Sequence, residues 1–256
     1  MRVFIGYDPR EAEAFSVCAH SLNSRASVPL EVRAIGQPAG LYRRTWHEDA
    51  EGQRIDDQDG RPFSTDFAFS RFLVPALLSY EGWALYCDCD FLFLEDVAAL
   101  LALRDPRYAV QCVRHDHRPG ESHKMDGRAQ TRYARKNWSS LVLWNCGHPA
   151  QRALTVEEVN TRPGAWLHGF QWLRDEEIGA LPEAWNWLDG WSPGHLPAKA
   201  VHFTRGGPWF PGCETGPYTQ AWLAERTEWR RQETLREQAQ REEAQPDEGT
   251  AREAAH

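Results

Sequence analysis

The chain opens on an apolar block, "RVFIGY" (2–7), that reads as a buried strand. "DPREAEAFSVCAHSLNS" (8–24) follows and predicts a helix. Asp8 can cap it, Pro9 suits the first helical position, and Glu11 completes a spacing like that of a capping box. "LEVRAIG" (30–36) reads as a second strand, so the opening is strand, helix, strand, as in α/β proteins. Residues 37–66 are polar, and "EDAEGQRIDDQDGRP" predicts a mobile loop. "FAFSRFLVPALLSYEG" (67–82) has helical character, with Pro75 placed to kink or restart it.

"WALYCDCDFLFL" (83–94) is the next strand region, and "EDVAALLALRD" (95–105) a short helix. "YAVQCVRH" (108–115) is another strand. Residues 116–138 are irregular and rich in His, Arg and Lys. "SSLVLWN" (139–145) is a strand and "PAQRALTVEEVN" (149–160) a helix. Residues 168–188 read as a helix followed by an extended segment, and "KAVHFTRGGPWF" (199–210) as a strand entering a Gly-Pro turn. From Ala221 the composition turns highly charged. Trp222, Leu223 and Trp229 suit docking of a helix start, whereas no apolar face continues beyond Arg236, where fraying is predicted. The expected organisation is a main domain over 1–220 and a charged tail over 221–256.

Composition narrows the function. In 256 residues, 41 % are hydrophobic and 12 are Trp, enough for one domain with large aromatic core residues. The net charge of −8 argues against a nucleic-acid binder, which needs a basic footprint. The six cysteines, at 18, 87, 89, 112, 146 and 213, form no C-x-x-C pair, so a zinc cluster or disulfide framework is not expected. They read as small buried hydrophobes in a reducing compartment. The N-terminus lacks a signal-peptide core, and no apolar run approaches the ~20 residues of a membrane span. The expected location is cytoplasmic, with peripheral membrane contact through an acceptor.

The chemistry centres on Asp88 and Asp90, which interrupt two apolar runs. In extended backbone, residues i and i+2 face one side, so both carboxylates can share one hard cation. Mn²⁺ and Mg²⁺ prefer oxygen ligands and commonly bridge one or two carboxylates to a substrate phosphate. On the bland alternative, this is an acidic loop after a buried strand.

The wider block "RFLVPALLSYEGWALYCDCDFLFLEDV" resembles the GT-A glycosyltransferases, above all family eight, the glycogenin and lipopolysaccharide galactosyltransferase group. Arg71, Pro75, Asp88, Asp90 and Asp96 occupy positions of that family's pattern. The resemblance implies an α/β GT-A (Rossmann-like) nucleotide-diphospho-sugar transferase fold, a central mixed sheet flanked by helices. It also implies that Asp88 and Asp90 hold Mn²⁺ (or Mg²⁺) against a nucleotide-sugar diphosphate, with Arg71 near the donor. By the same resemblance Tyr7 would stack on the nucleobase and Asp8 would accept its imide N–H. His202, in "AVHFTRGGPWF", would be the third metal ligand, with Gly206, Pro208 and Trp209 continuing the motif. The family's lysine is absent, since Gly207 precedes Pro208, and Arg205 is the candidate to supply its charge. Asn137 and Asn145 match two asparagines bounding a strand, one of which contacts the donor sugar. Phe170 stands where the family has a sugar-recognising Asp, and Gln171 where it has a Gln beneath the anomeric carbon.

The His115, Asp116, His117 and His123 cluster lacks zinc-site spacing. It reads as an acceptor- or sugar-facing loop, with Lys124, Asp126 and Arg128 available to hydroxyls or phosphate. The expected function is metal-dependent transfer of a sugar from a nucleotide sugar, a UDP-sugar in this family, to a glycan or lipid-linked acceptor with retention. The catalytic candidates are Gln171 and Asn137; those for the donor are Tyr7, Asp8, Arg71, Asp88, Asn145, Arg205 and Gly206. The alternatives are a non-catalytic nucleotide-sugar-binding protein of this fold and a D-x-D phosphatase. The latter wants its motif on the first strand, whereas here it follows about 85 residues of α/β pattern.

Overall fold

A computed structural model of the protein describes residues 1–116, 135 and 137–244. Strand β1 (Arg2–Gly6) leads through a 3-10 turn (Pro9–Glu11) into helix α1 (Ala12–Arg25). Asp8 starts that turn by accepting the N–H of Arg10, and Pro9 sits where a backbone donor would go unused. Strand β2 (Glu31–Ile35) returns beside β1.

Residues 37–66 hold more structure than their polarity suggests. Strands β3 (Trp46–Glu48), β4 (Arg54–Asp56) and β5 (Pro62–Phe63) form an antiparallel meander. It is pinned by Arg44, whose buried guanidinium pairs with Asp56 and donates to the carbonyls of Val159 and Arg162. The predicted helix over 67–82 is shorter: a 3-10 turn (Ser70–Leu73) runs into α2 (Val74–Leu77), and positive φ at Ser79 and Tyr80 ends it.

Strands β6 (Trp83–Cys87) and β7 (Phe91–Phe93) flank a turn made by Asp88, Cys89 and Asp90. Helix α3 (Val97–Leu101) is capped by Asp96, which accepts from the N–H of Ala98. Then come β8 (Val110–Cys112), β9 (Leu141–Asn145), α4 (Val156–Thr161), α5 (Gly164–His168), β10 (Ile178–Ala180), β11 (Trp187–Leu188), β12 (Ala200–His202) and α6 (Thr219–Ala244).

The main sheet has the order β10-β8-β9-β6-β1-β2. Neighbours are parallel except at β9, which is antiparallel to both β6 and β8. The fold is mixed α/β, as expected. β6 lies near the centre with both faces covered: Ala84 and Tyr86 enter one apolar cluster, Leu85 and Cys87 the other. That explains why its sequence is a continuous apolar run rather than an alternation. A second sheet, β11-β12-β7, receives β7 as it leaves β6. Its antiparallel register sets His202 opposite Phe91, and the N–H of Phe203 donates to the carbonyl of Asp90.

Helix α6 docks its first turns on α1. Trp222 is buried against Val17, and Glu225 bonds His20 and Arg25. Beyond Arg236, where the sequence predicts fraying or disorder, the described helix runs on to Ala244. Its exposed part carries ion pairs one turn apart, such as Arg231–Glu228 and Arg241–Glu237, on strong helix formers, so it needs no apolar face to hold its shape. Among the described residues no helix is long and apolar enough to cross a membrane.

Candidate functional site

The carboxyl ends of β1, β6, β8 and β10 share one edge of the main sheet, where open α/β sheets form ligand crevices. A cavity of 730 Å³ opens there, and Arg71, Asp88, Asp90, Asn137, His168, His202 and Arg205 all line it.

Asp88 follows the last residue of β6. Its N–H donates to the carbonyl of Ser140, and its Oδ1 accepts the Tyr86 hydroxyl at 2.7 Å and pairs with Arg71 at 2.8 Å. Burial pushes the Asp88 carboxyl above its ordinary value, against the pull of Arg71, and the neighbouring Asp90 adds to the rise. Arg71 is itself buried and donates to the carbonyls of Phe67 and Ser139. Asp90 lies at the end of the turn, and its Oδ2 is 3.3 Å from His202 Nε2. One ligand atom each from Asp88, Asp90 and His202 fall within 4.8 Å of one another, the only such group among the described residues. The cysteines alternating with Asp88 and Asp90 are core residues: Cys87 and Cys89 are buried, and burial pushes both thiols well up.

His202 is prepared for a ligand by a residue that spacing did not reveal. Its ring stacks on Phe91 at 4.6 Å, and its Nδ1 lies 2.9 Å from Oδ1 of Asn186. The amide nitrogen of Asn186 donates to the Asn137 carbonyl and to Ser140 Oγ, so its oxygen must accept from the imidazole. Nδ1 therefore carries a proton, and Nε2 faces Asp90. This is the orientation in which a metal-binding histidine presents Nε2. Two carboxylates and one oriented imidazole nitrogen thus form a set able to hold a divalent metal ion.

Asn137 enters the cavity from a left-handed conformation, φ 65°, which Asn tolerates better than most residues. Its Nδ2 is buried without a hydrogen-bond partner among the described residues, a costly state for an amide donor in the absence of a ligand. Arg205 and Gly206 line the same cavity. The missing lysine has a steric reason: a Cβ on Gly207 would lie 2.0 Å from the Trp209 ring. Sequence reading also missed His168, on α5, whose Nδ1 is 2.7 Å from Ser139 Oγ.

Four expected site residues lie elsewhere. Asn145 pairs with Trp83 at the opposite end of β6, because β9 runs antiparallel, and it donates to the Tyr108 carbonyl there. Asp8 is fully enclosed. Its oxygens are taken by Arg10, Arg54 and the N–H of Asp66, so no imide donor can reach it. Burial would raise its carboxyl, but the bonds and charge of Arg10 outweigh that and leave it lowered. It is Arg10, held by Asp8, that lines the cavity. Tyr7 packs edge-on against Phe15 at 5.2 Å and is not part of the lining. Gln171 is exposed and also outside the lining. Phe170 beside it, at φ 51°, is buried among Phe72, Trp144 and Trp172. Of the histidine-rich segment, His115 and Asp116 are described, whereas His117, His123, Lys124, Asp126 and Arg128 lie outside the described residues.

The same fold occurs in solved glycosyltransferases. GlyE of Streptococcus pneumoniae superposes with a TM-score of 0.56 at 14 % identity, over 88 % of this chain and 59 % of that one. The bifunctional glycosyltransferase WbbM gives 0.57 at 12 %, over 88 % and 49 %. The galactosyltransferase LgtC, in complex with donor and acceptor sugar analogues, gives 0.56 at 13 %, over 89 % and 96 %. The chain thus spans little more than half of GlyE and about half of WbbM, but nearly all of LgtC. These likenesses, with the crevice at the strand ends, define the class: a protein of the GT-A glycosyltransferase fold. No family model matches the chain. Protein CDI of Arabidopsis thaliana is 48 % identical over 241 residues, which cover 90 % of this chain and 88 % of that protein. The chain belongs to the Protein CDI family.

Proposed function

We propose that this protein transfers a sugar from a nucleotide sugar, a UDP-sugar, to a glycan or lipid-linked acceptor with retention of anomeric configuration. One observation carries the reading: Asp88, Asp90 and His202 converge, with His202 held by Asn186, on the wall of a cavity at the strand ends of a GT-A fold. These three would hold Mn²⁺ or Mg²⁺. When bound, such an ion supplies Lewis-acid neutralisation of the departing diphosphate.

The chain's own groups prepare the rest. Arg71 opposes the upward push of burial on the Asp88 carboxyl and fixes its orientation through the 2.8 Å contact. Arg205 and the backbone at Gly206, which line the same cavity, meet the diphosphate and replace the lysine that Trp209 excludes. Asn137 Nδ2, which has no partner among the described residues, donates to a donor-sugar oxygen. With Phe170 in the core and Gln171 outside the cavity, His168 takes the place of a polar group facing the sugar from α5. UDP as the carrier, retention and a relation to family eight rest on the sequence resemblance; the likeness to LgtC is one of fold. We further propose that 1–220 carries the transferase site and that the chain from 221 forms an appended helix bracing α1. A cytoplasmic location, with peripheral membrane contact where the acceptor is lipid-linked, completes the reading.

The phosphatase alternative lacks support, since the D-x-D turn follows β6 rather than the first strand. The non-catalytic alternative draws on Phe170, which replaces the family's carboxylate. The test is release of nucleoside diphosphate from a panel of nucleotide sugars by Mn²⁺-loaded protein, with and without sugar acceptors. Release from a UDP-sugar is expected. Mn²⁺-dependent nucleotide binding without any release would leave a binding protein.

A further inference from the structure

A second cavity, of 600 Å³, lies beside the first. It is walled by the segment after β8, Val113 to Asp116, by Leu181 and Glu183 after β10, and by Leu188 and Trp191 at the end of β11. Strand register ties it to the metal-ligand set. Leu188 pairs with His202, and the N–H of Asp189 donates to the His202 carbonyl. Trp191 is therefore two residues from a fixed contact with a proposed ligand residue. The two cavities meet at a cation–π pair: the Arg205 guanidinium, which lines the first, lies 5.9 Å from the ring of Trp191, which lines the second.

Trp191 is out of keeping with the other tryptophans. Trp144, Trp185 and Trp222 are fully buried, yet Trp191 is 40 % exposed, the only aromatic among the exposed large hydrophobics of the described residues. Its turn is hydrogen-bonded: the Leu188 carbonyl accepts the N–H groups of Trp191 and Ser192, and Gly190 takes φ 76°. Ser192 Oγ accepts from Leu188 N–H and donates to Glu183 Oε1 at 2.7 Å, which fixes that carboxylate in the cavity. On the other wall the His115 carbonyl is held by Trp138 Nε1 at 2.9 Å, with Arg114 over the Trp138 ring. The cavity thus has on its lining a partly exposed aromatic ring, Trp191, and the carboxylates of Glu183 and Asp116. A pyranose needs both: its C–H face loses water against an aromatic plane, and its equatorial hydroxyls donate to carboxylates, each of which can take several hydrogen bonds.

We propose that this second cavity is a carbohydrate subsite that binds a pyranose unit of the acceptor, stacked on Trp191 and hydrogen-bonded by Glu183. It makes the acceptor a glycan rather than a bare lipid alcohol, and as an acceptor site it rests on the transferase reading. A sugar held there lies across the Arg205–Trp191 pair from the donor diphosphate, so the next unit of the same glycan can reach the donor.

The test is an NMR titration of protein carrying ¹⁵N-indole tryptophan, with the Trp191 signal assigned from its loss in Trp191→Phe. The probes are cellobiose, lactose, maltose and xylobiose. At least one should shift the Trp191 signal saturably. Trp191→Ala should weaken that binding about tenfold, and Glu183→Gln should weaken it too. Thermal stabilisation by UDP with Mn²⁺ should be unchanged in Glu183→Gln. The proposal is overturned if no disaccharide moves the Trp191 signal, or if both variants bind as the parent does. Absence of UDP stabilisation in the parent protein would instead count against the donor reading, so the two failures are distinguishable.

Discussion

Oδ1 of Asn186 lies 2.9 Å from Nδ1 of His202 and fixes the imidazole with Nε2 facing Asp90. Sixteen residues separate the two in the chain; a strand, a turn and a strand register bring them together. Asn186→Leu should therefore weaken Mn²⁺ binding by about 10- to 100-fold. It should also cost about 1–3 kcal/mol of stability, because the Asn137 carbonyl and Ser140 Oγ lose their donor. Isothermal titration with Mn²⁺ reads the first effect and urea unfolding the second. Unchanged Mn²⁺ affinity would remove the orienting role.

Arg71 is the cation on which buried Asp88 depends. Arg71→Met leaves that carboxylate unpaired beside Asp90 and strips two carbonyls of their donor. A loss of about 3–5 kcal/mol in urea unfolding is expected. A loss below about 1 kcal/mol would show that the pair has little structural weight.

How much of this was legible in the chain can be judged residue by residue. The Asp8-Pro9 start of the first helical segment, the position of Asp88 and Asp90 at the end of a buried strand, and the core placement of Cys87 and Cys89 all follow from local rules, which need no knowledge of partners. Asn145 shows the limit. Its strand was evident, but nothing local states that β9 runs antiparallel to β6, and that sense alone carries Asn145 to the far end of the sheet. Asp8 was read as both a cap and a base acceptor; only the tertiary approach of Arg54 and Asp66 shows that its oxygens are fully used. The meander over 46–63 was hidden because strands of two or three residues leave no periodicity to read. Asn186, Ser139 and His168 carry no motif, and their roles exist only through contacts made by the fold.

Glu225 ties α6 to α1. Burial raises its carboxyl, but the hydrogen bonds and charges of Arg25 and His20 outweigh that and hold it below its ordinary value of 4.5. A depressed folded pKa gives stability that is complete above the unfolded value and is lost as pH falls through the folded one. Thermal unfolding of the parent should thus lose stability below pH 4.5, and Glu225→Gln should lose less over that window. At neutral pH the variant should be about 1–3 kcal/mol less stable, since Arg25 loses its buried partner. Parallel pH profiles would contradict the assignment.

The two halves of α6 should differ in weight. Trp222→Ala removes a buried ring that packs on Trp209 and should cost about 3–5 kcal/mol. Among the described residues, truncation after Arg236 removes only exposed helix, and it should change unfolding by no more than about 0.5 kcal/mol. Chemical denaturation of the two proteins side by side decides this. A large loss on truncation would reveal a contact made by the exposed half.

The central claim is that Asp88, Asp90 and His202 hold a divalent ion against a nucleoside diphosphate. The direct measurement is the thermal shift of the protein with UDP, with Mn²⁺ and with both, compared with Asp90→Asn, which keeps the shape of the side chain and removes its charge. Stabilisation by UDP in the parent should require Mn²⁺, as expected of linked binding to the folded state, and should vanish in Asp90→Asn. An equal Mn²⁺-dependent shift in that variant would contradict the claim.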